Sequence, residues 1–531
     1  MTSPVDRRQF LRWGTTTAAG VGTAALLGSL SGCSTTSHTT GTTAAPPTTT
    51  PVGPPDWSSL ASGLSGQLVL PTSPSYGTDR QLYNERFDAA TPAAIALCRS
   101  PSDVQRCVAF ARQHGVQVAA RSGGHSYGGY SSCPGLVIDV TLMSTVTLGS
   151  PGSAVVGAGA RLVDIYSALG SSGVLLPGGS CPTVGIAGLA LGGGIGVFGR
   201  KYGLTCDNMQ SLQVVTADSR LVTADAGHDD GLLWASQGGG GGNFGVVTSF
   251  TFGVHPIPDI VLFTLEFPWG AAVDVLGAWQ HWMPGTPPEL WSNCQLLSSG
   301  SAGGSRPLTA RVTGVFVGTP SALNGLLGPF LTAVGTSPTY QFVGPESYLR
   351  AMLIEAGCEN STVAACHLPS QNPAGTLARA TFAAKSNYVD TVMPQAGLQT
   401  VVDAVAALDT TQPGTGGGMV FDSYGGVINE VAADATAFVH RGSLACIEYS
   451  VSWGAGAPSS VVDEAGTWLQ LTQSQLAPYT HGAYQNYIDP TLVPWQQDYY
   501  GSNLARLVEV KRTYDPDNVF HFAQSIPTSL S

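Results

Sequence analysis

Two glycine-rich segments, each carrying one nucleophilic side chain, most constrain what this chain can fold into. Residues 121–127 read RSGGHSY around His125, and residues 179–185 read GSCPTVG around Cys181, which follows 56 positions later. Glycine has no Cβ, so the main chain of such loops approaches a ligand closely and aims its N–H groups at anionic oxygens. Histidine and cysteine form covalent bonds to electrophilic carbon. The pair predicts a flat, phosphate-bearing ligand that is bonded to the protein.

Each segment alone has a simpler interpretation. A single histidine in a glycine loop is more often a hydrogen-bonding group, and a single cysteine in an exported protein is more often half of a disulfide. The two segments in this order, each in its own glycine context, favour attachment at both positions.

The paired segments resemble the twin attachment sites of the berberine bridge enzyme-like oxidases, a branch of the vanillyl-alcohol-oxidase flavoproteins. The resemblance runs from about Ala89 to Pro527. In that family the histidine is bonded to the 8α-methyl of FAD and the cysteine to C6 of the ring. The resemblance therefore implies bicovalent FAD at His125 and Cys181. It also implies an α+β fold, in which a PCMH-type FAD-binding domain of two α+β subdomains precedes a substrate domain with an antiparallel sheet backed by helices.

Further candidates for contacts with FAD lie on the same two loops, on the glycine-rich segments downstream and in the C-terminal signature of the family. They are Arg121, Ser122, Gly123, Gly124, Ser126, Gly185, Gly188, Gly192, Gly193, Asn243, Gly245, Val246 and Asn503. Arg121 and also Lys201 are equally compatible with ordinary surface or core-edge charges. We expect no metal, because the sequence contains neither paired CxxC motifs nor HExxH.

The catalytic candidates are Tyr487, Asp422 and Tyr127. Oxidation of an alcohol requires a base for the O–H proton while hydride leaves the carbon. Residues 483–489 read AYQNYID, and the second tyrosine of this pattern, Tyr487, resembles the base of the carbohydrate-oxidising members. Asp422 lies where those members place a carboxylate that pairs with the base, and Tyr127 would face the same cavity. The alternatives are a packing role for the tyrosines and a turn-capping role for Asp422.

Two further positions bear on the type of reaction. The alkaloid-forming plant members place a glutamate for which this sequence offers no obvious equivalent, which argues against berberine-type ring closure. Val184 resembles the position that controls oxygen access, where a small β-branched residue is typical of oxidases. Ordinary strand packing is the alternative for Val184.

The N-terminus predicts export and a lipid anchor. Residues 1–33 contain the twin-arginine pattern Arg7-Arg8, a short apolar run and the lipobox residues 30–33, LSGC, which end at Cys33. An ordinary signal peptide with an incidental cysteine is the alternative. Residues 34–56 are rich in Thr and Pro and predict a solvated tether. We expect a cell-envelope lipoprotein that faces outward, or a secreted protein, in contact with the membrane only through Cys33.

Composition limits the remaining organisation. The net charge of −12 argues against a nucleic-acid partner. We expect a monomer with an FAD-binding domain at 57–254, a substrate domain at 255–480 and a C-terminal segment at 481–527 that returns to the FAD domain. Without Cys33 and Cys181, eight cysteines remain, an even number compatible with disulfides, and Cys358 and Cys366 are close enough in sequence to form one.

Local patterns predict several elements of the N-terminal half. They include a helix that begins with capping-box spacing at Ser102 and ends at Gly115, a helix at 161–169, and a hairpin over 212–223. Strands are expected at 116–120, 136–140 and 154–158. Residues 194–199 match a dinucleotide fingerprint, GxGxxG, but no β-branched strand precedes them, so we do not expect a Rossmann fold.

Three functions compete at this point. The first is an FAD oxidase that acts on a hydroxyl of a sugar, oligosaccharide or polyol and passes electrons to oxygen with release of hydrogen peroxide. The second is a secondary-metabolite tailoring oxidase or dehydrogenase of the same family. The third is a cell-surface solute-binding lipoprotein, which the lipobox and tether alone suggest.

Overall fold

A computed structural model of the chain describes residues 55–299, 307–408 and 415–530. The signal sequence with Arg7-Arg8 and Cys33, and nearly all of the tether, lie outside the described residues. Within the described ranges, no helix combines the length and the apolar character that a membrane crossing requires.

The strands, in chain order, are β1 Gln67–Val69, β2 Ala94–Leu97, β3 Val118–Arg121, β4 Leu136–Asp139, β5 Val146–Leu148, β6 Ser153–Gly157, β7 Val174–Leu175, β8 Met209–Val215, β9 Leu221–Asp225, β10 Val246–Gly253, β11 His255–Pro256, β12 Ile260–Phe267, β13 Leu290–Ser299, β14 Leu308–Val317, β15 Tyr340–Glu346, β16 Phe382–Val389, β17 Gly416–Ser423 and β18 Ala445–Ser452.

The α-helices, in chain order, are α1 Trp57–Gly63, α2 Tyr76–Asp79, α3 Pro101–His114, α4 Leu162–Ser171, α5 Ile186–Leu191, α6 Gly199–Tyr202, α7 Asp230–Ser236, α8 Ala272–Trp282, α9 Pro320–Val334, α10 Tyr348–Glu355, α11 Gln395–Ala407, α12 Val427–Glu430, α13 Ser459–Leu476, α14 Trp495–Tyr500 and α15 Leu504–Tyr514.

The first sheet has the order β1-β2-β4-β3, in which β2, β4 and β3 are parallel. Helix α3 connects β2 to β3 and ends, as predicted, at Gly115 with φ 63°. The predicted start of helix α3 at Ser102 is wrong. The N-cap is Ser100, whose hydroxyl accepts from Asp103 N at 3.2 Å, because Pro101 suits the first helical position, where no N–H partner is needed. Strand β3 then leads directly into the loop at 121–127.

The second sheet is antiparallel, with the order β5-β6-β10-β8-β9. The predicted hairpin is confirmed as β8 and β9, and its turn contains Ser219 with φ 68°. The predicted helix at 161–169 is confirmed as α4. The fingerprint-like residues 194–199 follow helix α5 rather than a strand, so the expectation against a Rossmann fold is also confirmed.

The third sheet, called the large sheet below, is antiparallel with the order β15-β12-β14-β13-β17-β18-β16. Side chains alternate along its strands because successive Cβ atoms point to opposite faces. In β18, Ile447 and Tyr449 join the apolar core that α8, α9, α11 and α13 form on one face. Glu448 and Ser450 point to the other face, toward the N-terminal half. The expected α+β fold, with an antiparallel sheet backed by helices, is confirmed.

The chain after the large sheet returns to the N-terminal half. His481 pairs by backbone with Tyr388 of β16, and a 3₁₀ turn follows at Gln485–Tyr487. The Lys511 ammonium, fully buried on α15, donates to the backbone oxygens of Asn243 and Phe520 and to the Asp515 carboxylate. These bonds hold the C-terminal segment against the glycine-rich residues 238–242.

The described cysteines form fewer disulfides than the eight cysteines considered in the sequence would allow. Cys358 and Cys366 are bonded, with their Cα atoms 5.9 Å apart. The other cysteines of the described ranges form no disulfide, including Cys98 and Cys107, whose sulfur atoms lie 4.0 Å apart. Free cysteines are small apolar core residues, which explains how six of them can be buried without partners in a disulfide.

Candidate functional site

A cleft lies between the two glycine-rich loops, the open face of the large sheet and the returning C-terminal segment. It brings together most of the predicted site residues, which are Arg121, Ser122, Gly123, Gly124, His125, Ser126, Tyr127, Cys181, Val184, Gly185, Gly188, Gly245, Val246 and Tyr487. Five predicted residues do not line it, namely Gly192, Gly193, Asn243, Asp422 and Asn503.

His125 is held in one orientation by two contacts. Its Nε2 lies 3.0 Å from the Thr183 hydroxyl, and its ring stacks on Tyr83 with a centroid separation of 4.0 Å and an interplanar angle of 15°. Thr183 belongs to the same loop as Cys181. The two loops are therefore in direct contact, and the histidine of one and the cysteine of the other line the same cleft.

The two loops pack backbone to backbone. A Cβ built on Gly123 would lie 2.1 Å from Gly185 N, and a Cβ built on Gly185 would lie 2.1 Å from the Ser122 hydroxyl oxygen. No side chain fits in that space, so glycine is required at both positions. The Ser122 hydroxyl in turn donates to Ala158 O at 2.7 Å. These residues line the cleft and also fix the separation of its two attachment candidates.

Cys181 is partly exposed, whereas the other described cysteines outside the disulfide are buried. It lies in a loop whose start is fixed by the Tyr166 hydroxyl, which donates to Gly179 O at 2.5 Å. Val184 also lines the cleft, as its proposed role in oxygen access requires. A partly exposed cysteine that lines the cleft is positioned next to a ligand bound there.

The cleft suits FAD on two further grounds. A Cβ built on Gly188 would meet nothing within 4 Å, so bare backbone borders open space there. The Arg121 guanidinium is buried and donates to Ser131 O at 3.1 Å and Asp79 O at 2.5 Å, while its Nη2 has no hydrogen-bond partner in the described part of the chain. Burial lowers the pKa of Arg121, and Asp139 opposes that effect. A buried cationic donor of this kind suits an anionic group of the dinucleotide.

Gly192 and Gly193 pack against neighbouring side chains and do not line the cleft. A Cβ on Gly192 would lie 2.1 Å from Asn486 Oδ1, and one on Gly193 would lie 3.0 Å from the Phe438 ring. Both glycines therefore make room for side chains of this protein. The expectation that they contact the ligand is not supported, because a glycine pattern does not distinguish space for a ligand from space for a neighbouring residue.

Asn243 and Asn503 are likewise internal hydrogen-bonding residues. The Asn243 amide donates to the backbone oxygens of Gly239 and Gly240, and its carbonyl accepts from Ile526 N at 2.9 Å. The Asn503 amide donates to Ala433 O at 2.7 Å and to nearby backbone oxygens. The Asn243 side chain thus supports the glycine-rich residues 238–242, and the Asn503 side chain joins the C-terminal segment to residues 433–437. Lys201 pairs with Glu289 at 2.8 Å, outside the cleft lining.

Tyr487, Tyr127 and Glu448 form a connected group on the substrate-domain side of the cleft. The Tyr127 and Tyr487 rings stack with a centroid separation of 5.2 Å and an interplanar angle of 22°. The Tyr127 hydroxyl donates to Glu448 Oε1 at 2.9 Å. Glu448 is only 4% exposed and projects from β18 into the cleft. A glutamate thus lines the cleft, although the sequence offers no obvious equivalent of the glutamate of the alkaloid-forming members.

Asp422 lies on β17, beside β18, and is fully buried. Val420 is directly opposite Glu448 in the register, and Asp422 is opposite Cys446, so Asp422 and Glu448 are diagonal neighbours on one face of the large sheet. The carboxylate that reaches the cleft is nevertheless Glu448. The sequence feature that could have identified Glu448 is a single acidic residue inside an otherwise uncharged strand, ACIEYSVS at 445–452.

The architecture and the site define an FAD-binding oxidoreductase. The FAD binding domain family matches residues 92–225, and the berberine and berberine-like family matches residues 483–527. An uncharacterized FAD-linked oxidoreductase of Bacillus subtilis, YgaK, is 32% identical over 473 residues, which cover 87% of this chain and 97% of that protein. The chain belongs to the berberine bridge enzyme-like family of FAD-linked oxidoreductases.

Solved structures agree with this assignment. BBE-like 1 of Physcomitrella patens superposes with a TM-score of 0.80 and 31% identity, over 90% of this chain and 99% of that chain. Chitooligosaccharide oxidase superposes with a TM-score of 0.78 and 27% identity, over 89% of this chain and 99% of that chain. The non-enzymatic interpretation as a solute-binding lipoprotein is therefore dismissed.

Proposed function

We propose that this enzyme oxidises a hydroxyl group of a sugar, oligosaccharide or polyol, with oxygen as the electron acceptor and hydrogen peroxide as a product. The observation that supports this proposal best is the hydrogen-bonded and stacked group of Glu448, Tyr127 and Tyr487 in the cleft that also contains His125 and Cys181. It combines a proton acceptor with flat aromatic surfaces. The likeness to chitooligosaccharide oxidase supports a carbohydrate substrate.

Bound FAD supplies a two-electron acceptor for hydride from the carbon that bears the hydroxyl. The protein must take the hydroxyl proton. We assign this step to Tyr487, which in its phenolate form accepts the proton and becomes a neutral phenol. Tyr127 orients the Tyr487 ring by stacking, and Glu448 fixes Tyr127 by accepting its hydroxyl proton in a hydrogen bond. Because Asp422 does not reach the cleft, we assign the role of the carboxylate partner to Glu448.

We further propose that FAD is bonded to both His125 and Cys181. Attack by the Cys181 thiolate would leave the flavin reduced by two electrons, which oxygen, the proposed acceptor, would remove. Two bonds would retain the cofactor outside the cell, where FAD is not supplied. This agrees with our proposal that the protein is exported by the twin-arginine route and anchored at Cys33.

Purified enzyme tests the function directly. We expect yellow protein whose flavin stays with the polypeptide after acid precipitation, and peroxide release with at least one member of a panel of mono- and oligosaccharides. Phenolic alcohols form the matched second panel. Reduction of the flavin by a sugar without reoxidation by oxygen would identify a dehydrogenase instead. Reduction by phenolic alcohols alone would favour the tailoring oxidase.

A further inference from the structure

The 3₁₀ turn at Gln485–Tyr487 is fixed by the residues beside Gln485 in sequence. The Tyr484 hydroxyl accepts hydrogen bonds from Gly194 N and from the Asn486 amide, both at 2.8 Å. The Asn486 amide also donates to Leu189 O at 2.9 Å. Tyr484 and Asn486 thus attach the turn to helix α5 and to the segment that follows it. This leaves Gln485 held in place at the cleft wall.

Two glycines make room for the Gln485 amide. A Cβ built on Gly240 would lie 2.2 Å from Gln485 Nε2, and a Cβ built on Gly192 would lie 2.4 Å from Gln485 Oε1. Burial raises the pKa of Tyr500, and hydrogen bonding to the Gln485 side chain opposes that rise. The Gln485 amide therefore fills the space that these two glycines leave open.

The oxygen of the same amide is not satisfied by the protein. Gln485 is 8% exposed, and its Oε1 is buried with no hydrogen-bond partner among residues 55–299, 307–408 and 415–530. A buried acceptor without a donor destabilises the fold, whereas an apolar side chain of similar size would fill the same space without that cost. An unpaired acceptor at the wall of a binding cleft is explained by a donor that the ligand supplies.

Bound FAD carries such donors, namely the imide N–H of the ring and the hydroxyls of the ribityl chain. We propose that the Gln485 carbonyl accepts a hydrogen bond from the isoalloxazine–ribityl part of FAD, which makes Gln485 a cofactor-binding residue. This role concerns the cofactor alone. It holds whatever the substrate is and whichever molecule accepts the electrons.

The test compares three single variants of the full-length protein with the wild type. Gln485→Met keeps the length of the side chain and removes the strong acceptor. Gln485→Glu keeps an acceptor oxygen at the same place. Ile488→Leu is the matched control, because it alters an apolar residue that lines the same cleft. The measurements are the visible spectrum of the oxidised flavin, its midpoint potential and the thermal unfolding midpoint. FAD affinity is measured in a background that carries His125→Ala and Cys181→Ala.

We expect Gln485→Met to shift the flavin bands or the midpoint potential relative to Ile488→Leu, and to weaken FAD binding by roughly tenfold. Gln485→Glu should retain more FAD affinity than Gln485→Met. The proposal would be overturned if Gln485→Met had the flavin spectrum, midpoint potential and FAD affinity of the wild type together with a raised unfolding midpoint. That result would show that the unpaired oxygen is only a packing defect. A change confined to the KM for substrate would also overturn it. If the attachment-free background fails to fold, the spectrum and potential of the covalent enzyme decide between these outcomes.

Discussion

Replacement of Tyr487 by phenylalanine separates the chemistry of this residue from its packing. The ring makes two contacts that phenylalanine retains, namely the stack on Tyr127 at 5.2 Å and the edge contact with Tyr484 at 4.9 Å. Only the phenolic oxygen is lost. Loss of the hydrogen bonding of one hydroxyl costs about 1 kcal/mol of folding free energy. The folded protein and its attached flavin should therefore both survive the substitution.

The expected effect on rate is much larger than the effect on stability. A positioned general base contributes about 10²–10⁴-fold to a proton transfer. We therefore expect the rate of flavin reduction by substrate to fall by at least about a hundredfold in Tyr487→Phe. Stopped-flow spectroscopy under anaerobic conditions measures this step without interference from reoxidation. The pH dependence that reports ionisation of the base should also disappear.

Tyr130→Phe is the matched control, because Tyr130 also lines the cleft but packs on Phe522 rather than on the Tyr127–Tyr487 pair. Its rate should stay close to that of the wild type. Glu448→Gln should give an intermediate loss with a shifted pH profile, since it removes the charge that accepts from Tyr127 while keeping the shape. A Tyr487→Phe enzyme that reduces its flavin at nearly the wild-type rate would remove Tyr487 from the mechanism and leave Glu448 as the candidate base.

Cys181→Ala should leave the flavin bonded through His125, with an altered spectrum and a lower midpoint potential. If acid washes the flavin completely out of the wild-type protein, attachment is contradicted at both positions. Burial lowers the pKa of His440 from 6.5 to about 3, so between these pH values the unfolded chain binds a proton that the folded one does not. The free energy of unfolding should therefore fall by about 1.4 kcal/mol for each pH unit of acidification across that window. His440→Phe should remove this pH dependence, which urea titrations at several pH values measure. Cys33→Ser should release active enzyme from the membrane fraction, whereas Cys33 found in a disulfide would refute the lipid anchor.

The parts of the fold that sequence could predict are those determined by nearby residues. Helix α3 has its apolar face, its capping residues and its terminal glycine within one short segment, and only its first residue was misplaced. The loops around His125 and Cys181 are equally local, since each carries its nucleophile and its glycines within seven positions. The sequence therefore sufficed to identify the cofactor class and both attachment candidates.

The contacts that sequence could not predict join residues that are far apart in the chain. Tyr127 and Glu448 are separated by 321 positions, and only the packing of the large sheet against the N-terminal half brings them together. Asp422 is predicted from the place where the carbohydrate-oxidising members have a carboxylate, but Glu448, which lies on the same face of the neighbouring strand β18, is the carboxylate that lines the cleft. Gly192 illustrates the same limit, because the residue that needs its space, Asn486, is nearly 300 positions away.

The C-terminal segment completes the cleft, which explains why a separate family match covers residues 483–527. Lys511 and Asp515 form a fully buried ion pair, and Lys511 also donates to Asn243 O. Removal of one partner of a buried pair typically costs 3–5 kcal/mol, because the remaining charge is left uncompensated. Asn243 in turn bonds the Gly239–Gly240 backbone and Ile526. The positions of Gly239 and Gly240 therefore depend on contacts that the last residues of the chain make with Asn243.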